Sequence, residues 1–397
     1  MKNKSKIYLF LIYLAFLVCL LPVAIFTYKH PEYNWDMLGY MALVVRMDQT
    51  HNMEEVHNIT YYNARQIIPA DKYKKLIDTP SFRKKFAADP SEFKKLLPIY
   101  VVKPLYVWVC YLFYKSGFSL PAATVMPSIV SYLIIGLFLF YWFNKYLKSS
   151  IAFVGGLLVM FSIFTVAIAG LSTPDCLAAL FLLIASYFIL EKRNLALMFL
   201  FFLLSIFTRV DSIITCFFII SFLAFIEKWR RITKTQYFLM LVILAITYIC
   251  IILPVRQFGW SIFYYSQYAR HIDFSRDFDH NISLSSYLAL VYSKLITALV
   301  SSHFIFFLFL GLLIIGNTGI SFRKFTFDQS FLVLLASVIF FRFLLLPDLS
   351  DRFYFGFYLI VIILFVRKFS SPVQHTNNEN AHRNDSKKMD QVIAKIN

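Results

Sequence analysis

Charge is scarce in this sequence: 15% of its 397 residues are Asp, Glu, Lys or Arg, against 59% hydrophobic and 19% aromatic. That balance excludes a soluble domain, because a soluble core of this length cannot bury so much apolar surface. The five cysteines, Cys19, Cys110, Cys176, Cys216 and Cys250, lack any CxxC spacing. A disulfide framework and a cysteine metal site are thereby disfavoured, and the five read as small hydrophobes. Neither a GxGxxG nor a Walker pattern occurs, and no soluble domain is there to hold a nucleotide sugar. Acidic residues are outnumbered 22 to 39, for a net charge of +17. The basic residues sit mostly in short stretches between apolar runs, where they set membrane orientation, and no basic patch interleaves with exposed aromatics as nucleic-acid binding would require.

What the sequence has instead is apolar runs of about 15 to 22 residues, the length that crosses a hydrocarbon slab of about 30 Å. Inside lipid the backbone must satisfy itself, so each run is a helix. The expected fold is an all-α integral membrane protein with roughly ten transmembrane helices, both termini in the cytoplasm. The first run, 7–26, follows Lys2, Lys4 and Lys6 and has no small-x-small cleavage site after it, so it reads as a retained helix rather than a signal peptide. A long polar segment, 28–98, is then external, and within it 35–47 has helical spacing, with Leu38, Met41, Ala42 and Val45 on one face, as in a helix lying on the membrane surface.

The segment 103–117 is apolar but short and flanked by lysines, and it reads as an interfacial helix. Laid flat, it leaves the later basic turns on the cytoplasmic side: Lys145 with Lys148, Lys192 with Arg193, Lys228 to Lys234, Arg323 with Lys324, and Arg367 with Lys368. Further helices are expected over 151–170, 174–190, 195–207, 212–226, 237–253, 286–315, 331–346 and 353–366. The run 195–226 is interrupted by Thr208, Arg209 and Asp211, a pattern for two short helices meeting at a charged apex that faces protein or water rather than lipid. A second external loop spans 256–285, and the polar tail 370–397, beyond the 1–369 membrane domain, is expected to be disordered.

In this topology Asp36, Asp175, Asp348 and Asp351 all lie at helix ends on the external side. Ordinary helix-start chemistry is an alternative for each: in LSTPDCLAAL, Thr173 can cap, Pro174 suits the first turn and Asp175 complements the helix dipole. Ser350 and Asp351 allow the same reading.

The order of elements resembles the GT-C class of membrane glycosyltransferases, especially bacterial relatives of the protein O-mannosyltransferase and aminoarabinose transferase families. NWDMLGY supplies Asp36 and Tyr40 where such enzymes have D-E-x-x-Y. The stretch from Lys103 to Trp108 resembles K-P-P-L-Y-Y-W, and Val125 to Val130 resembles R-L-P-S-A-L. Ser172 to Asp175 resembles an external S-P-D or T-x-D helix start, and Arg352, Phe353 and Tyr354 resemble the late R-Y motif. The chain departs from the pattern in Met37, in one missing proline and in Val125.

The resemblance implies transfer of a sugar from a polyprenyl-phosphate donor to an envelope glycan, lipid or protein, at the external face of a bacterial cytoplasmic membrane. Asp36 would act as general base and Asp175 would hold the acceptor or a water. Lys103, Arg209 and Arg352 would stabilise the departing phosphate, with Tyr40 and Tyr354 as further substrate contacts. A single displacement inverts the anomeric centre. His30, Glu32, Asp36, His51 and His57 share one loop, so a divalent metal stays possible, although their spacing fits no ligand pattern. A transporter or flippase of lipid-linked glycans, or a glycan polymerase or ligase, are the alternatives.

Overall fold

The computed structural model describes residues 2–79, 82–226, 231–255, 283–301, 303–316, 325–348 and 350–370. Among these the chain is helical throughout, with one isolated parallel bridge between Glu32 and Leu171 and no strand. The helices are α1 (Lys2–Lys29), α2 (Asp36–Asp48), α3 (Met53–Ile67), α4 (Ala70–Asp78), α5 (Phe82–Ala88), α6 (Pro90–Leu96), α7 (Pro98–Val101), α8 (Pro104–Lys115), α9 (Leu120–Phe143) and α10 (Ser149–Met160). They continue as α11 (Ile163–Ala169), α12 (Asp175–Tyr187, extended by a π turn to Lys192), α13 (Leu195–Thr208), α14 (Ser212–Phe225) and α15 (Lys234–Ile252). The last are α16 (Leu284–Ser301), α17 (Phe304–Gly316), α18 (Phe327–Leu345) and α19 (Phe355–Phe369).

Four of the described helices, α1, α9, α15 and α18, are long and apolar enough to cross a membrane. The number rises to six if the bent pairs Pro90–Val101 with Pro104–Lys115, turned by 108°, and Ser149–Met160 with Ile163–Ala169, turned by 64°, each count as one span. The other apolar runs form shorter helices: 14 residues in α13 and in α14 reach roughly 21 Å at about 1.5 Å per residue. Large apolar side chains stay exposed along α1, among them Ile7, Phe10, Leu14, Val18 and Ile25. Such a stripe on a single chain is a lipid-facing surface.

At the centre, α9 packs against α1, α8, α10 and α12, while α12 packs against α13 and α19. Gly356 makes the last contact possible, since a Cβ there would come within 3.1 Å of Leu182 and 3.2 Å of the Ala179 backbone.

The structure corrects several sequence expectations. The segment 35–47 is not a surface helix: every residue of α2 from Met37 to Val45 is buried. Helices α3, α7, α8 and α9 cover it, so its apolar spacing is part of an all-round apolar helix, not one face of an amphipathic one. The 286–315 run breaks into α16 and α17. There the His303 amide and imidazole Nδ1 engage Asp351 at 3.1 and 2.9 Å. Asp351 therefore caps a helix remote in sequence, and it also accepts from the Tyr358 hydroxyl at 3.3 Å. The charged apex is present as expected, with Arg209 and Asp211 between α13 and α14. The 103–117 segment is α8, with Trp108 and Leu112 exposed opposite buried Tyr106 and Cys110. Residues 256–282 of the second loop, the basic residues Lys228, Arg230, Arg323 and Lys324, and the tail beyond 370 lie outside the described residues.

Charged side chains gather at two ends of the bundle. At one end Glu191 accepts from the Trp142 indole at 2.9 Å and from Lys145, Tyr146 and Arg367, and Arg367 also binds Asp328 at 2.8 Å. Asp175 begins the same helical segment that Glu191 nearly ends, roughly 24 Å away at about 1.5 Å per residue. The charged groups around Asp175 form the other end.

Candidate active site

The path into the site begins with two chain segments running side by side. The Glu32 amide donates to the Gly170 carbonyl at 3.1 Å, and Glu32 and Leu171 form the parallel bridge. Four residues on from the bridge partners stand Asp36 and Asp175. Both aspartates are the first residue of their helix. Two helix N-termini, each favouring negative charge, are thus brought to one place carrying a carboxylate apiece.

Arg352 stands between the two acids. Its guanidinium donates to Asp36 Oδ2 at 3.1 Å, while its Nε lies 4.0 Å from Asp175 Oδ2. Asp175, buried to 4% exposure, also accepts from Arg209. Arg209 Nε in turn donates to Asp211 Oδ1 at 2.8 Å, and the other Asp211 oxygen accepts from Arg342. The result is an alternating row, Asp36, Arg352, Asp175, Arg209, Asp211, Arg342, drawn from five separate parts of the chain. The Phe353 ring packs under three of the guanidinium groups, 4.3 Å from Arg209, 4.7 Å from Arg352 and 5.6 Å from Arg342.

A second arc closes around Asp36. The Tyr100 hydroxyl donates to Asp36 Oδ1 at 3.2 Å, and Lys103 Nζ sits 5.2 Å from the Tyr100 ring and 5.5 Å from the Tyr40 ring. Gly39 holds this arrangement together, because a Cβ there would fall 2.3 Å from the Tyr100 ring. Burial alone would raise the Asp36 carboxyl, but Arg352 and Lys103 outweigh it and hold the group below its usual value. Burial pushes the Lys103 amine down, with Asp36 opposing. Between the arginines lies a cavity of about 30 Å³ lined by Asp175, Ser205, Arg209, Arg342, Arg352 and Gly356. It has room for water-sized groups.

All seven residues singled out in the sequence, Asp36, Tyr40, Lys103, Asp175, Arg209, Arg352 and Tyr354, belong to this end of the molecule. Tyr354 is buried, donates to the Asp348 carbonyl at 3.2 Å and lies under Arg342. Its position is that of a support for the arginines. The helix-start account of LSTPDCLAAL does not hold for Thr173. Pro174 is the residue preceding α12, no side chain caps that helix, and the buried Thr173 hydroxyl has no partner.

Sequence reasoning missed Tyr100 and Arg342. Arg342 carried a readable signal, a lone arginine in the apolar run of α18. Tyr100 carried none. Of the loop histidines, His57 is a core residue: its Nε2 lies 3.1 Å from the Phe86 carbonyl and its ring packs on Tyr61 and Phe93. Among the described residues no three His, Cys, Asp or Glu side chains are grouped as a metal site. Asp36 and Asp175 face a shared guanidinium, which suits a divalent cation poorly.

No protein-family model matches this chain, and no curated protein and no solved structure does.

Proposed function

We propose that the protein is a membrane glycosyltransferase of GT-C type, moving a sugar from a polyprenyl-phosphate donor to an envelope acceptor at the external membrane face. The observation that carries this reading is Arg352 bridging Asp36 and Asp175 at the meeting of two helix N-termini. Among the described residues the cations Arg83, Lys103, Arg209, Arg342 and Arg352 lie among the carboxylates Asp36, Asp175, Asp211 and Asp348, which offers several cations to a phosphate.

In this mechanism the incoming phosphate draws Arg352 from Asp36 and frees the carboxylate, whose basicity then rises. The acceptor oxygen attacks the anomeric carbon, the bond from that carbon to the phosphate oxygen breaks, and the acceptor proton passes to Asp36. Arg352, Arg209 and Lys103 hold the phosphate as it gains charge, and Asp175 keeps Arg209 in place. One displacement inverts the anomeric centre. Counting the short helices, the reading has about ten crossings with both termini inside, in a bacterial cytoplasmic membrane.

A flippase would carry its charges near mid-membrane, whereas Arg342 lies in the last turn of α18 and Asp175 in the first of α12. Lipid extracts of a deletion strain separate the two. A transferase deletion accumulates lipid-linked sugar that periodate reaches from outside intact cells. A flippase deletion accumulates it protected, and an unchanged pool contradicts both.

A further inference from the structure

Buried polar atoms without partners are few in folded proteins, and each needs a reason. Among the described residues eight side-chain atoms have none, and four of them belong to Asn34, Tyr40 and Thr173. Tyr40 is fully buried and Thr173 is 1% exposed. The three border the same pair of acids. Asn34 stands two residues before Asp36 and Thr173 two before Asp175, the aspartates that Arg352 bridges, and Tyr40 sits one turn beyond Asp36 on α2, its hydroxyl close enough to feel the charges of both Asp36 and Asp175.

We infer that Asn34, Tyr40 and Thr173 form the subsite for the donor's sugar ring, each meeting a ring hydroxyl when substrate is bound. This rests on the glycosyl-transfer reading and names the part of the substrate these residues recognise. The chemistry of the set chooses the ligand. An amide offers one acceptor and one donor group, and two hydroxyls each offer both. A phosphate takes donors only and a metal ion takes acceptors only, whereas sugar hydroxyls do both. The place fits as well, since Arg352 binds Asp36, two residues from Asn34, and Lys103 Nζ lies 5.5 Å from the Tyr40 ring. Asp36, with its side chain 29% exposed, is the point at which this group reaches the surface.

The test exploits the sign of the effect on stability. An orphaned buried hydroxyl costs stability, so removing it without changing shape raises or preserves the melting temperature. Thr173→Val and Tyr40→Phe are to be compared with Thr60→Val, which removes another partnerless buried hydroxyl, on α3. The readouts are the melting temperature of purified protein and the surface glycans of cells with matched protein levels. The expected result is that all three variants melt at or above wild type, while Thr173→Val and Tyr40→Phe lose about tenfold or more of the transferred sugar and Thr60→Val loses none. If Thr173→Val and Tyr40→Phe keep the sugar as Thr60→Val does, the subsite is overturned and transferase activity stands. If the deletion strain itself lacks no sugar, it is the transferase reading that fails.

Discussion

Asp36 is held in two opposing ways, and its pH behaviour follows from which one dominates. Desolvation favours the protonated acid, while Arg352 and Lys103 favour the carboxylate and prevail. A carboxyl lowered on folding adds stability above its unfolded pKa, and that stability is lost as pH falls through the lowered folded value. At limiting donor, where the free enzyme's groups set the rate, wild-type transfer therefore stays level on mild acidification to about pH 5, as far as Asp36 is concerned. Arg352→Gln leaves desolvation opposed by less charge, so the residual activity of that variant falls at a higher pH than wild type. Sugar incorporation measured from pH 5 to pH 7.5 checks this, and superimposable normalised profiles would contradict it. At this scale Asp36 and Asp175 were legible because a carboxylate at a helix start in a membrane protein stands out against an apolar background. Their sharing of Arg352, 316 residues from Asp36 in sequence, was not, because nothing local encodes a contact of that span. The orphaned Thr173 hydroxyl was illegible for the same reason, since a threonine before a proline and an aspartate reads locally as a cap.

Among the elements, α2 shows most clearly where sequence periodicity stops. Leu38, Met41, Ala42 and Val45 fit an amphipathic stripe, but Met37, Gly39, Tyr40, Leu43 and Val44 are buried too, because helices arriving later in the chain enclose it. The close approach of α2 to the Tyr100 turn depends on Gly39 having no side chain. Gly39→Ala pushes the Tyr100 ring aside, costs roughly 1 to 3 kcal/mol by overpacking, and loosens the hydroxyl that donates to Asp36. The melting temperature and the sugar transfer of this variant both fall. A variant as stable and as active as wild type would show that α2 and Tyr100 are not locked together. The paired short helices α13 and α14 were readable because Arg209 and Asp211 interrupt an otherwise unbroken apolar run. The break between α16 and α17 was not, because it is stabilised by Asp351 from another part of the chain.

For the whole molecule, the membrane character was legible from composition alone, and it agrees with four to six of the described helices being long and apolar enough to cross. The number and direction of crossings were less legible, because several apolar runs fold into helices of 13 to 15 residues that pack on neighbours. The two charged ends, one around Asp175 and one around Glu191, define opposite faces in this account. In a background without the native cysteines, Lys72→Cys reacts with a membrane-impermeant thiol reagent from outside intact cells, and Lys148→Cys reacts only after lysis. Labelling of both from one side would overturn the topology.

The central claim is that Asp36 is the base of a sugar transfer at the external face. Surface glycans of cells carrying wild type, a deletion and Asp36→Asn, compared by mass spectrometry with protein levels matched by blotting, test it most directly. Asparagine keeps the shape and the contact with Tyr100 but does not take up a proton as a carboxylate does. The account predicts that the deletion and Asp36→Asn lose the same sugar while the variant protein still accumulates in the membrane. Full retention of that sugar by Asp36→Asn would contradict it.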